Sequence, residues 1–297
     1  MAALSWIIEH AWSALSGLVY VLLNPLTVWN LSEPEAVMRF VYYGASPELF
    51  LLSTMLFFGV FAYGVYNREF LWRIVGGLEG FSNSIGRLAA WAGLLMVLQQ
   101  IMVIFLQAIF RVSDIGLGPV GLGFDRPLGW WGDSLKLYNA IVVCMCCAYT
   151  FVQGGHVRVD LFYAGVKYRT KRVIDMFGAL FFMIPALLLI WHYSWFFMWR
   201  HLINPKVNAS DTLDGMIRKA RAFRWQPETI GFSPNGFDAY FLFKVLIVFF
   251  AFMMMVQAAA VFYRSYLEFV GGEDDEGRGL DRDILDAADP DTTEGAA

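Results

Sequence analysis

The chain has 297 residues, of which 58% are hydrophobic, 17% aromatic and only 16% charged, with a formal net charge of −4. Soluble domains carry roughly 25% charged residues, and the mean hydropathy here is +0.52, so composition excludes an ordinary soluble globular class. No Gly-x-x-x-x-Gly-Lys-Ser/Thr run is present, which excludes a P-loop nucleotide site.

A hydrocarbon core about 30 Å thick takes about 20 apolar helical residues to cross. Since a lipid-exposed backbone must satisfy its own hydrogen bonds, the expected class is an all-α integral membrane protein. The first ten residues carry Glu9 but no Lys or Arg, so the basic start of a secretory signal is missing and the N-terminus is expected to stay on the protein. Residues 11–31 are uncharged but interrupted by Asn24-Pro25, where proline removes a backbone donor. That segment either spans with a kink or lies in the interface, where Trp6, Trp12, Tyr20 and Trp29 would settle at headgroup depth. Residues 49–66 form a short uncharged span, and residues 67–87 read as a polar connection carrying Arg68, Arg73 and Arg87.

Residues 88–110 span next and contain Gln99, Gln100 and Gln107. An amide is costly in hydrocarbon unless partnered, so these glutamines imply a helix face packed on protein. Residues 111–134 read as a Gly/Pro/Asp-rich loop with a Trp130-Trp131 anchor. Residues 137–155 span again, 162–172 are basic, and 176–199 span with Pro185 as a kink and Trp191, Trp195 and Trp199 at the far end. Residues 201–238 read as a long polar loop, and residues 245–263 form the last span, closed by Arg264. Residues 265–297 form a tail. From 271 onward it holds ten Asp/Glu against two Arg, a net of −8; with few large apolar residues it is expected to be disordered and solvated. Counting Lys and Arg near the spans, the compact cluster at 158–172 puts that loop and the acidic tail in the cytoplasm.

Candidate chemistry is sparse. The middles of the spans contain no Asp or Glu, whereas an ion-coupled carrier needs ligands or proton relays at mid-depth, or broken helices in their place. Cys144, Cys146 and Cys147 lie within a span at spacings that do not share one face, and read as small apolar residues. His156 and His192 could suggest haem ligation, but His192 lies 19 residues beyond Val173 in the following span, about 28 Å across the bilayer from the face that holds His156. No metal or cofactor is expected on this chain. There remains Gly154-Gly155-His156-Val157-Arg158-Val159-Asp160-Leu161-Phe162, at a span end. Two readings of His156, Arg158 and Asp160 stand open: a helix end whose arginine snorkels to phosphates, or a docking constellation for a partner.

That stretch, followed by a basic patch and a helix opening Arg172-Val173-Ile174-Asp175-Met176-Phe177-Gly178, resembles the small (Q-type) membrane subunit of the tripartite ATP-independent periplasmic (TRAP) transporters. The resemblance extends over residues 87–264. It includes Gln107 through Arg111 at the end of one span, Trp131 through Lys136 with Asp133 before the next, Pro185 in the third, and Lys244 opening the fourth. It implies a four-helix core at 87–264, preceded by an extension at 1–86 with one or two additional helices. It further implies a bacterial inner-membrane scaffold, not an enzyme. The large permease subunit would hold the coupling sodium and the solute, and a periplasmic binding protein would deliver an organic acid-type solute. His156, Arg158, Asp160, Arg111, Asp133, Lys136 and Lys244 would be subunit or lipid contacts, and Gln99, Gln100 and Gln107 intramembrane packing residues. The chain departs from the family in having Asp133 where a glutamate is usual, and a longer, basic loop at 210–238. The rival readings are a stand-alone carrier or channel and the membrane anchor of a redox complex.

Overall fold

The computed structural model describes residues 9–17, 19, 32–117, 124–154, 165–231 and 235–281. The 11–31 question and the His156-Arg158-Asp160 motif therefore fall largely or wholly outside the described residues. The fold is an all-α membrane architecture with five helices long and apolar enough to cross a bilayer. We number the helices α1 (Pro34–Tyr43), α2 (Pro47–Tyr66), α3 (Arg68–Ile104, continued by a π-turn at Phe105–Phe110), α4 (Leu128–Val152), α5 (Tyr168–Gly178), α6 (Ile184–Leu202), α7 (Leu213–Ala220) and α8 (Phe241–Gly271). A π-turn at Ala179–Met183 joins α5 to α6, making one continuous spanning element.

Local sequence explains most boundaries. Ser46 caps α2 by accepting the Leu49 N–H, with Pro47 at the first helical position, where its missing donor costs nothing. Asn67 ends α2 and caps α3, its side chain accepting the Phe70 N–H at 3.1 Å. The polar connection expected at 67–87 is therefore a single capping residue followed by helix. Helix continues there because every third or fourth residue is buried: Leu71, Val75, Glu79, Ser82, Gly86 and Ala89. That stripe is amphipathic, and polar residues on the other face do not break it. Pro185 brings a π-turn just before it, which accommodates the carbonyl four residues earlier that the ring would strike.

Helix α8 is the axis of the bundle. Of its most apolar stretch 44% is buried, against 6–11% for the other four spanning elements. It packs on α3, α4, α5 and α6. The centre is a cluster of Ala148, Leu187, Met253, Met254 and Ala258. Helices α3 and α4 pack side by side and come into close contact at Gly86, where any Cβ would overlap the Tyr149 side chain.

The two ends differ. One, which we call the basic end, gathers the C-termini of α2, α4 and α8 and the N-termini of α3 and α5. There Leu71 and Val75 pack with Phe262, Tyr263 and Leu267, and Phe57 stacks on Tyr263 at 5.0 Å. The other, the aromatic end, carries α1 and α7 against α6. Trp191, Trp195 and Trp199 do mark the far end of their span, but Trp195 and Trp199 are buried under α1, and are not free at a lipid interface. Trp191 and Trp195 donate their indole N–H groups at 2.8 Å to the carbonyls of Gly44 and Val41. Those carbonyls, at the end of α1, have no intrahelical partner.

Two stretches read as loops are more ordered than expected. Within 111–134, α4 already begins at Leu128, and an antiparallel pair joins β1 (Asp114–Leu117) to β2 (Phe124–Pro127). Within 201–238 lie α7 and a two-residue pair of β3 (Ile203–Asn204) with β4 (Arg224–Trp225). The near half of the acidic tail, through Asp281, is also built into the fold.

Candidate functional site

At the basic end α3, α5 and α8 bring four charged side chains into the interior. Arg264 of α8 reaches Glu79 of α3 through two parallel contacts of 2.6 and 2.5 Å. Arg172 of α5 lies 2.9 Å from Glu268 of α8. Glu79 and Glu268 are 4% and 2% exposed. Two buried cations thus face two buried anions, and the desolvation that would forbid either alone is offset by the pairing. Arg172 also meets Asp175 at 3.5 Å and Glu276 at 2.8 Å. The ring of Trp72 lies under both Arg264 and Arg278, at 5.5 and 5.4 Å.

Residues 272–281 fold back over this cluster, correcting the reading of the tail as solvated from 271 onward. The N–H of Gly277 donates to Glu268, and Arg264 donates to the Arg278 carbonyl. The strap ends on α3: Asp281 pairs with Arg87 at 2.9 Å, and its carbonyl accepts from Asn83 and Gln153 at 2.8 and 3.0 Å. Arg87 holds the Asp281 carboxyl below its ordinary range. The strap stays because Glu276 and Asp281 pair with Arg172 and Arg87 while Arg264 and Glu268 hold its backbone, so polar and charged contacts replace the apolar burial that the composition lacks.

Glu79 and Glu268 were not singled out from sequence. Their signal was the buried stripe at three- and four-residue spacing, which makes Glu79 an acid on the packed face of an amphipathic helix and requires a basic partner. In the sequence Arg172 opens the helix of the family-like motif and Arg264 closes the last span.

The residues expected to act are distributed as follows. Gln99 is buried and donates at 2.7 Å to both the Trp131 carbonyl and Ser134 Oγ at the start of α4; Gln100 and Gln107 are exposed on this chain. Arg111 follows the first π-turn in a left-handed conformation with φ 49°. Asp133 and Lys136 pair with each other at 2.8 Å. Lys244 pairs with Glu228 at 2.8 Å, and His201 lies 3.2 Å from the same carboxylate. The hydrogen bond from Lys244, with further help from His201, lowers the Glu228 carboxyl below its usual value. Arg111, the Asp133–Lys136 pair and Lys244 belong to the aromatic end, whereas the described flanks of the His156-Arg158-Asp160 motif, Gln153 and Lys167, belong to the basic end.

The aromatic end also has a cleft of about 240 Å³ bordered by Arg126, Trp130, Asn235 and Asp238. Trp130 donates its indole N–H to Asp238 at 2.8 Å, and Arg126 stands 5.6 Å over the Trp130 ring. On and after α7, Arg218, Arg221 and Arg224 are exposed, while Lys219 is held by Asp211. His192 packs among Phe50, Tyr193 and Phe196. Among the described residues no His, Cys, Asp and Glu group could hold a metal ion.

Residues 121–217 match the family model described as tripartite ATP-independent periplasmic transporters, DctQ component. That match makes this segment similar to the TRAP small permease subunits, in line with the resemblance read from the sequence. The DctQ segment runs from just before β2 through most of α7, roughly the middle third of the chain, and so includes α4, α5 and α6 together with the His156, Arg158 and Asp160 positions. The TRAP family is one of transporter components and not of enzymes, so the DctQ match agrees with transmembrane transport. No curated protein and no solved structure matches the chain.

Proposed function

We propose that this chain is the scaffold subunit of a TRAP transporter in a bacterial inner membrane. It would hold a large permease subunit that carries the coupling sodium and the transport path, for binding-protein-dependent, ion-gradient-driven uptake of an organic acid-type solute. The observation that carries this reading is where the chain keeps its charge. Every Asp, Glu, Lys and Arg of the spanning elements lies within nine residues of an end or in the part of α3 before residue 88, and none at mid-span. The buried acids, Glu79 and Glu268, are consumed in ion pairs. Such an arrangement supports holding helices in register more than moving an ion between them.

In this reading residues 87–264 are the small-permease core, 1–86 an extension with one or two additional membrane helices, and 265–297 an acidic tail. The basic end is cytoplasmic, following the Lys/Arg bias. His156, Arg158 and Asp160 then anchor the subunit on the cytoplasmic side. Arg111, Asp133, Lys136 and Lys244 serve subunit or lipid contact, and Gln100 and Gln107 meet the partner helix. Trp130, Trp131 and the exposed arginines around α7 face the periplasmic binding protein.

The test is co-expression with a large TRAP permease subunit, affinity purification through this chain, and solute uptake in liposomes. Expected are a stable two-subunit complex, uptake by the complex with a binding protein, and none by this chain alone. In the same assay Arg158→Ala lowers recovered complex more than apparent solute affinity. Uptake by this chain alone would replace the scaffold with a self-contained carrier.

A further inference from the structure

We propose that a groove at the aromatic end, between α6, α8 and the segment after β4, binds a phospholipid whose headgroup carries a primary amine. The groove has a volume of about 380 Å³, and its lining includes Phe197, His201, Glu228, Ile230, Lys244 and Ile247.

Its position sets the depth. Lys244 and Arg264 are the innermost basic residues at the two ends of α8, separated by about 30 Å at 1.5 Å per residue. That is the thickness of a hydrocarbon core, so Lys244 marks one headgroup plane. Below it the groove is apolar and open: Phe197 is 46% and Ile247 40% exposed. The opening continues down α6 through Tyr193 and Leu189, 72% and 62% exposed. Residues 189, 193 and 197 share one helix face at four-residue spacing, giving a strip about 12 Å long for an acyl chain.

Above that strip the lining is charged and of both signs. Lys244 Nζ and His201 Nε2 approach Glu228 at 2.8 and 3.2 Å, and both fall on Oε2. Among the described residues neither contact uses Oε1, and the Glu228 side chain is 30% exposed. Lys244 is held 5.2 Å over the Phe197 ring, and an ammonium has three donors, of which Glu228 takes one. A zwitterionic headgroup fits this pattern: its phosphate accepts from the spare N–H groups of Lys244, and its ammonium donates to the open oxygen of Glu228, while His201 is held between the Phe197 carbonyl and Glu228. A choline headgroup has no N–H to donate, and a glycerol headgroup brings no positive charge. The charge pattern therefore selects among lipids that the apolar strip alone would treat alike. The inference rests on membrane depth and this groove, and not on the identity of the protein partner.

The experiment reconstitutes the full chain in nanodiscs of equal phosphatidylethanolamine, phosphatidylglycerol and phosphatidylcholine. The chain is then extracted in mild detergent, and the retained lipid is quantified per chain by mass spectrometry. Expected is enrichment of phosphatidylethanolamine over both others. Glu228→Gln keeps the side-chain shape and lowers that enrichment about three- to tenfold, the loss of one partly exposed charge-assisted hydrogen bond. Ile247→Trp fills the apolar strip without touching the ion pair, and lowers retention of phosphatidylethanolamine even if the Glu228 variant folds poorly. Retained lipid in the bulk ratio would overturn the proposal, as would unchanged enrichment in Ile247→Trp. Displacement by soluble glycerophosphoethanolamine at equal concentration would overturn it too, by making the ligand a free headgroup.

Discussion

The two ends of the bundle handle charge in opposite ways. At the basic end, Glu79, Glu268, Arg172 and Arg264 have side chains only 3–12% exposed, and they join three helices and a strap. At the aromatic end, the ion pairs Lys136–Asp133, Lys244–Glu228 and Arg126–Asp238 are partly open, and tryptophans provide the burial. A buried pair costs much to break and fixes geometry, whereas an open pair contributes little to stability and stays available to a ligand. The basic end is therefore the structural lock of the bundle, and the aromatic end the more open of the two.

The largest effect is expected at the lock. Glu79→Ala leaves Arg264 buried beside one distant carboxylate, its 3.5 Å contact with Glu268. Losing one partner of a buried pair costs about 3–5 kcal/mol. Thermal unfolding in detergent should show a large drop in Tm. The double variant Glu79→Leu, Arg264→Met removes both charges and should recover most of the loss. Equal Tm values for Glu79→Ala and the wild type would end the claim that this end is the lock. The matching change at the open end, Asp133→Ala, should fall within the 0–1 kcal/mol typical of exposed pairs.

A middle-sized effect tests what aligns the two ends. Gly86 lets α3 and α4 approach where a Cβ would overlap Tyr149, and Asn83 and Arg87 beside it hold the strap. Gly86→Leu should cost about 1–3 kcal/mol by overpacking. It should also loosen the Gln99 contacts to Trp131 and Ser134 about 20 Å further along α3, because both contacts belong to the same helix pair. Amide exchange at the start of α4 would report this. Exchange unchanged there, with Tm lowered, would mean that the two ends are not mechanically joined through α3.

How far these contrasts were legible in the sequence depends on the kind of residue. The spans themselves were legible, since a run such as 245–263 admits no other reading. Their ends were not. Asn67 looked like the start of a connection but is a cap, and the charges after it fall on one side of a helix. Gly129, Gly132 and Asp133 have loop chemistry but lie in the first turns of α4, where Pro127 supplies the extended entry. Trp195 and Trp199 fit the rule that indoles mark interfaces, yet α1, lying outside every apolar window, covers them. Of the expected site, Gln99 could be anticipated as a packed amide because a buried amide must find partners. The ion lock could not be read from any one segment, since its four members come from residues 79, 172, 264 and 268 and meet only through tertiary packing.

The smallest effect concerns the strap, and its sign can be worked out. Arg87 lowers the Asp281 carboxyl in the folded state below its ordinary value of 3.8. A group with a depressed folded pKa stabilises the fold above its unfolded pKa, and that contribution is lost as pH falls through the folded value. The Asp281–Arg87 contact should therefore be fully present near neutral pH and fade only below about pH 4. With Asp281 57% exposed at this pair, salt screens it as well, so global stability should hardly move. The local readout is exchange at the Gly277 and Leu280 amides, which donate to Glu268 and to the Gly277 carbonyl. Corrected for intrinsic rates, their protection should drop from pH 6 to pH 3 and drop less in Asp281→Asn, which starts without the charge. Equal protection at both pH values in the wild type would mean that the buried Glu268 bond alone holds the strap. The lock would then extend to residue 277, and its outermost ion pair would belong with the open pairs of the aromatic end.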